Sequence, residues 1–491
     1  MAVGASVWER SLPGSGYGIV NLLPVGNIVY AGSRGYVYRL EAATGNVAAT
    51  NGLPGFHYGE VRFALTPTTL IVGTDGYVLG LDPTTLATIW QTSLPSTGNN
   101  SVSVLIEGGF IFAGSFGYVF RLDASTGAIL NTNGLPGTGT YDVRLVIGFG
   151  KLLVGTNGFV LALSLTDVST TWTCSLPGSR YHVVNLACSS TSIFAGSYGY
   201  MYRLDTQGVV QNTNDLPGLN YAEVRVAAHG PYVTAGTYGS VVCFRVENLA
   251  FQWKTDLDGA FGQIVSVLMD GQMVYAASNG LAFGLTLDGG RVVRREGLSG
   301  LGYHEVSLAM NGPSLVMGSN GYVANSPLAI SNFTLQHQEQ TLWCWAATTV
   351  SVAGFYNVNT FWKTQCRLVN EILKQTTCCE NGSSAQCNHT SSTENALKFT
   401  KHWQSTTEAA EPMPIIASEI SKGQPLCAIV EWPDKSSHAT LITGVHPEGT
   451  IDIQDPWSGF STLTVDAFTN RYQGNGVWTR SLHTVASQVT T

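Results

Sequence analysis

Charge is scarce in this chain. Lysine, arginine, aspartate and glutamate make up 11% of its 491 residues, and the net charge is −8. No basic block exists, so nucleic-acid binding has no electrostatic footprint. No run of 18 apolar residues exists either, so no membrane span is expected. The segment Met1 to Arg10 has neither a basic start nor a long apolar stretch. It therefore does not read as a signal peptide, and the protein is expected in the cytosol or exported without a leader. Few lysines and glutamates also means few strong helix formers. With 56 glycines and abundant aliphatic and aromatic residues, the composition points to turn-rich β structure and excludes disorder. The length calls for two or three domains.

What is present is a repeat. The phrase Ala31-Gly-Ser-Arg-Gly-Tyr-Val-Tyr-Arg-Leu40 returns at Val72 and Ala113, then at Val154, Ala195 and Ala235, and in weaker form at Ala276 and Met317. Its second residue falls at 32, 73, 114, 155, 196, 236, 277 and 318, a period of 41 with one step of 40. Each copy holds four short alternating strands separated by glycine turns, which is the pattern of a propeller blade. A blade cannot bury both faces alone, so copies must stack and close into a ring. Trp8, Trp90, Trp172 and Trp253 recur 82, 82 and 81 residues apart, in alternate copies. The intervening copies carry Asn-rich versions such as Asn131-Thr-Asn-Gly-Leu135. Blades therefore come in pairs. Four pairs give an eight-bladed all-β propeller over residues 1–330, with seven blades as the alternative.

Leu122-Asp-Ala-Ser-Thr-Gly127, and Leu81-Asp-Pro-Thr-Thr85 followed by Trp90, resemble the repeats of quinoprotein-type (PQQ-like) propellers. In those enzymes the cofactor site needs adjacent cysteines and acidic calcium ligands. The propeller cysteines here, Cys174, Cys188 and Cys243, are not adjacent, and no cofactor is expected. Tyr17, Tyr58, Tyr141, Tyr181, Tyr221 and Tyr303 recur just before a strand. They read either as wedges between blades or as repeated pockets for a glycan or protein ligand.

After Ile330 the chain changes character. Residues 331–491 hold more histidine, cysteine and helix-like stretches, with helices first and strands later, an α+β order. Cys344 sits between Trp343 and Trp345 and is followed by small apolar residues, as a thiol at the start of a buried helix running to about Tyr356. Such a position favours the thiolate; a buried structural cysteine is the alternative. Further helices are expected over Phe361–Leu373 and Glu394–Trp403, and strands over Leu426–Trp432, Ala439–Thr443 and Ile451–Asp455. The turn His446-Pro-Glu-Gly449 folds the last two strands into a hairpin. In regular register it brings His438 opposite residues 455–457 and sets His438 and Asp455 on one face. Asp455 can then orient the imidazole, and the imidazole can take the Cys344 proton. Gln338, six residues before Cys344, can donate to an oxyanion.

Together, Gln338, Cys344-Trp345-Ala-Ala347, Ser437-His438-Ala439 and Asp455-Pro-Trp457-Ser-Gly459 resemble the papain-like cysteine proteases. Gln365-Cys366, Cys378-Cys379 and Cys387-Asn388 bring the resemblance closest to the small bacterial and effector-type branch. The Gly-Ser that precedes Cys-Trp in papain itself is missing. The resemblance covers about residues 335–482. It implies Cys344 as nucleophile, His438 as general base and then acid, Asp455 as orienter, and Gln338 with the Cys344 backbone N–H as oxyanion hole. It also gives Trp457 the part of the tryptophan that shields the acid–histidine pair from water.

Cys366, Cys378, Cys379 and Cys387 allow three pairings into two disulfides. Free thiols remain an alternative. A zinc site with His389 matches no common ligand spacing, and no metal is expected. Disulfides would place the mature protein in an oxidising compartment. Sequons at Asn99, Asn332, Asn381 and Asn388 carry little weight without a leader. The reading is a cysteine endopeptidase acting on protein or peptide substrates, with the propeller as a platform for a glycan or protein ligand. Its plan is similar to lectin–peptidase fusions among defence toxins. The rival is an interaction protein whose peptidase-like domain is inactive.

Overall fold

The computed structural model describes residues 8–486 except 17, 54, 57–58, 180–181, 217–221, 261, 271–272, 299–304, 312–313, 331–332, 357–363 and 447–448. The chain divides into two compact units, Gly4–Ser326 and Pro327–Thr491.

The first unit is an eight-bladed propeller. Blades 1 to 7 are contiguous four-stranded antiparallel sheets, whose innermost strands begin at the 41-residue repeat. Blade 1 runs through Asn21–Val25, Ile28–Ser33, Tyr36–Glu41 and Val47–Asn51. Blade 8 takes its three inner strands from the end of the repeat and its outermost strand, Trp8–Ser11, from the other end of the unit. Trp8 lies opposite Asn325 and Ser11 opposite Tyr322. This pairing closes the ring and covers the outer edge of the strand that begins at Tyr322. The core lies between blades. Ile71 and Val78 of blade 2, for example, pack with Ile111 and Phe120 of blade 3.

The alternation of tryptophan and asparagine blades has a structural cause. Trp8, Trp90, Trp172 and Trp253 each lie over a turn glycine of the next blade, namely Gly45, Gly127, Gly208 and Gly290. The Trp8 and Trp253 indoles also donate to backbone carbonyls of that blade, at Ala42 and Leu287. At the other kind of interface, Asn51 and Asn133 donate to the carbonyls of Leu86 and Val168, 2.7 Å away in each case. There the turn residues Leu86 and Val168 adopt positive φ, as do the glycines under the tryptophans. Gly127 has φ +72, and a Cβ there would stand 2.3 Å from the Trp90 ring. Gly127→Ala is therefore expected to cost roughly 2–4 kcal/mol from left-handed strain plus overpacking. Gly26→Ala, at φ +58 with open space around it, should cost only the backbone share. Thermal unfolding of the two variants checks the difference.

Of the recurrent tyrosines, Tyr141 is exposed; Tyr17, Tyr58, Tyr181, Tyr221 and Tyr303 lie outside the described residues.

The second unit is α+β. Its helices are α1 (Cys344–Tyr356), α2 (Gln365–Leu373), α3 (Thr393–Phe399), α4 (Met413–Ser421) and α5 (Val465–Arg471). Its strands are β1 (Trp403–Thr407), β2 (Leu426–Glu431), β3 (Ser437–Val445), β4 (Thr450–Asp455), β5 (Gly459–Thr464) and β6 (Val477–Thr484). They form an antiparallel sheet in which β1 pairs with β6, β6 with β2, β2 with β3, β3 with β4 and β4 with β5. Leu328 and Ala329 add a short pairing to Val445 and Gly444. Helix α1 is buried from Trp345 to Ala353 and packs against β3 on one side and α2 and α3 on another. This explains its lack of a polar face.

Two sequence expectations change here. The helix expected over Glu394–Trp403 stops at Phe399, because Lys401 turns left-handed (φ 62) and Trp403 opens β1. Of the helix expected over Phe361–Leu373, residues 361–363 lie outside the described residues, and α2 begins at Gln365.

Candidate active site

Cys344 is the first residue of α1. The chain leading to it is clamped from one side. The Trp343 indole donates to the Cys387 carbonyl at 2.7 Å, the Trp345 indole to that of His389 at 3.1 Å, and Leu342 N–H to Asn388 Oδ1 at 3.0 Å. All three acceptors belong to the cysteine loop. Two disulfides hold that loop, Cys366–Cys379 and Cys378–Cys387. This is one of the three pairings left open by the sequence, and through Cys366 it ties the loop to α2. The disulfides thus brace the segment around Cys344 from a distance. Chain cross-links closing loops of this length are worth roughly 2–3 kcal/mol each. Reduction is expected to lower the unfolding temperature of this unit and to slow Cys344 alkylation. Calorimetry and labelling with and without dithiothreitol check both.

The hairpin places the other two groups. In the β3–β4 register Leu441 faces Gln454 and Ile442 faces Ile453. Continuing it sets Asp455 opposite Thr440, two residues from His438 and on the same face. His438 Nε2 lies 2.8 Å from Asp455 Oδ1. With Nε2 so engaged, Nδ1 is the ring nitrogen left for the thiol, to which His438 is hydrogen-bonded. Cys344, His438 and Asp455 are thus brought together, as the pattern required.

Their titration is mutually biased. Burial raises the Cys344 thiol, but the His438 hydrogen bond and charge and the N–H groups of Ala439 and Trp345 outweigh it, and the net shift is downward. Burial lowers His438, but Asp455 and Cys344 outweigh it and push the imidazole up to about 9. Burial raises Asp455, yet His438, Tyr472 and the Ser458 N–H hold it down at about 2. These shifts favour a thiolate beside an imidazolium. Cys427, buried in β2, is pushed the other way, chiefly by burial, which the Arg480 charge does not offset.

Gln338 lies in the same region but is turned differently from the expectation. Its Nε2 donates to the carbonyls of Gln340 (2.9 Å) and Thr341 (3.0 Å), and its Oε1 is buried without a partner among the described residues. Its own N–H donates to the Pro456 carbonyl at 2.9 Å. In this geometry both amide protons hold the loop before α1, and neither is directed at an oxyanion.

Trp457 also departs from its expected part. The residue is 54% exposed, and what it gives Asp455 is its backbone N–H, 2.7 Å from Oδ1. The acid is closed off instead by Tyr472, whose hydroxyl donates to Oδ2 at 2.6 Å, and by Gln473 Nε2 at 3.3 Å. Sequence reasoning missed both. They follow a seven-residue helix in an ordinary polar turn, and nothing in their spacing relates them to Asp455. A cavity of about 140 Å³ opens beside the thiol and imidazole, walled by Thr390, Glu394, Ile429, Arg480 and Leu482.

Residues 329–473 match the family described as papain-like cysteine protease AvrRpt2. This papain-like domain contains the whole Cys344–His438–Asp455 arrangement and also Tyr472 and Gln473. Residues 74–296 match the family described as outer membrane protein assembly factor BamB, a PQQ-type repeat. Solved structures similar in fold include Sqt1 of Saccharomyces cerevisiae (12% identity, 66% of this chain and 99% of that one, TM-score 0.56). The computationally designed Ika8 protein is another (19%, 66% and 99%, 0.54). BamB of Moraxella catarrhalis is a third (20%, 66% and 97%, 0.50). At these identities the likeness concerns the propeller fold alone. No curated protein matches the chain significantly, and no comparison points to a glycan ligand or a toxin.

Proposed function

We propose that the chain is a cysteine endopeptidase in which Cys344, His438 and Asp455 act as a catalytic triad on protein substrates. The observation that carries this reading is the 2.8 Å His438–Asp455 bond beside a thiol whose pKa is lowered despite burial. The Cys344 thiolate attacks the scissile carbonyl carbon, and the carbonyl electron pair moves onto oxygen. The Cys344 backbone N–H, at the start of α1 where it has no intrahelical acceptor, is placed to hold that oxyanion. Gln338 joins it by releasing one of its two loop carbonyls when substrate binds. His438 gives its proton to the leaving amine, and a thioester remains. Water then attacks the thioester, His438 takes the water's proton, and the acid product leaves with the thiolate restored. Asp455 keeps the imidazole oriented and stabilises its cation throughout.

The propeller acts in this reading as the platform that binds a protein partner. The two disulfides favour an oxidising compartment as the working place. The Gln338 arrangement, with both donors engaged, favours the rival reading of an inactive domain attached to an interaction propeller. One experiment separates the two. An epoxide-type thiol inhibitor should label Cys344 at neutral pH, and Cys344→Ala should abolish casein cleavage while leaving the unfolding temperature unchanged. Cleavage retained in Cys344→Ala, or no turnover by the wild type with any protein substrate, would sink the peptidase reading.

A further inference from the structure

The propeller carries a site that the peptidase reading does not use. Each innermost strand opens on a polar residue: arginine in blades 2, 4 and 6, asparagine or serine in the others. The arginines are Arg62, Arg144 and Arg225. A carboxylate precedes each by two positions, as Glu60, Asp142 and Glu223, and Glu305 stands in the same place before Ser307 of blade 8.

The three arginines are not equally served. Arg62 donates through Nε and Nη2 to Glu60 and through Nη1 to Ser103, and it pairs with Asp142 at 3.5 Å. Arg225 bonds Glu223 through Nε at 2.9 Å and pairs with Glu305 through Nη2 at 2.7 Å. Arg144 has one ion pair among the described residues, Nη2 to Asp142 Oδ2 at 2.9 Å, and that oxygen is shared with Arg62. Its Nε is buried without a partner among the described residues. A guanidinium carries five N–H donors, and leaving them unmet in a buried place is costly. Burial and the neighbouring Arg62 push Arg144 below its ordinary pKa, whereas Arg62 and Arg225 are held above theirs by their carboxylates.

Arg144 and Arg225 line a cavity of about 400 Å³ walled by the innermost strands, with the hydroxyl-bearing Ser103, Ser266 and Ser307 around it. The Ser266 hydroxyl is also buried without a partner among the described residues. The cavity wall is thus rich in donors. The four carboxylates outnumber the three arginines, but Glu60, Glu223 and Glu305 are held by Arg62 and Arg225. Asp142 is shared between Arg144 and Arg62 through Oδ2, and its Oδ1 is buried without a partner among the described residues.

We propose that this axial cavity binds a small oxyanion, a carboxylate or a phosphate, seated on the under-bonded guanidinium of Arg144 with Arg225 and the serine hydroxyls beside it. A guanidinium fork suits both anions, and the volume is of small-ligand size. Calorimetric titration of the full-length chain with succinate and with inorganic phosphate tests this, with succinamide and putrescine as controls. At least one of the two anions should saturate a single site. Binding of succinate alone assigns a carboxylate, and binding of phosphate alone a phosphate. Arg144→Met should weaken binding by roughly 10- to 100-fold, the worth of charged hydrogen bonds. If that variant does not fold, Arg144→Lys keeps the charge, loses the fork and should still bind roughly tenfold more weakly. No saturable binding of either anion, putrescine binding in their place, or undiminished affinity in a folded Arg144 variant would overturn the proposal.

Discussion

Replacing His438 with alanine is expected to lower kcat/KM by roughly 10²–10⁴-fold, the range of a lost general acid–base group. The same change should move the reactivity of Cys344 along the pH axis. In the wild type the thiol lies below its ordinary value because the imidazolium and two backbone N–H groups outweigh burial. Without His438, burial acts with less opposition and the thiol pKa rises. Alkylation at neutral pH should then become slow and recover only in alkaline solution. The wild type has its own signature. As pH rises through about 9, His438 loses its proton, so proton donation to the leaving amine fails and peptide hydrolysis declines. Alkylation needs only the thiolate and should not decline with it. Stability follows the same linkage. A folded pKa of about 9 against an ordinary 6.5 means stabilisation that is fully present below 6.5 and lost as pH rises through about 9. A His438→Ala variant with an unchanged alkylation profile would contradict the thiolate–imidazolium pair.

The second large effect concerns Asp455, which is 1% exposed. It receives His438 Nε2, the N–H groups of Trp457 and Ser458, the Tyr472 hydroxyl and Gln473 Nε2. Asp455→Ala leaves those donors facing a void, and a buried charged network broken in this way costs roughly 3–5 kcal/mol. It should also remove most activity, since nothing then orients the imidazole. Asp455→Asn keeps the shape and an acceptor for His438 but removes the charge that raises it. We expect partial activity with the alkaline limb shifted below about 9. The carboxylate's own folded value of about 2 against an ordinary 3.8 means stabilisation present above 3.8 and lost as pH falls through about 2. Thermal unfolding and pH–rate profiles of the two variants check these expectations. Full activity and stability in Asp455→Ala would remove Asp455 from the mechanism.

Much of this protein is legible in one dimension. The 41-residue period, the tryptophans in alternate copies and the glycine turns between strands imply eight blades in pairs, because a blade is built from contacts within one repeat or between successive ones. Helix α1 is equally local: a largely apolar run beginning at Cys344. The pairing of His438 with Asp455 could be inferred because a single hairpin joins them, so few registers are possible. The expected helix end at Trp403 failed for a local reason as well. A left-handed turn at Lys401 has no distinctive residue to announce it. Strand β1 then depends on β6, some eighty residues later in the chain.

Sequence alone thus determined the repeat, the blade pairing, the start of a buried helix at Cys344 and the pairing of His438 with Asp455. Only the tertiary structure decided that Trp8–Ser11 completes blade 8, how the four cysteines pair, that Gln338 directs both amide protons at the loop before α1, and that Tyr472 rather than Trp457 covers Asp455. The division has a physical basis. Periodicity and hairpin register arise between near neighbours and leave a pattern in the residue order. Contacts between distant segments depend on where the folded chain brings them, and polar residues such as Gln338 and Tyr472 can satisfy their hydrogen bonds in several ways that leave no mark on spacing.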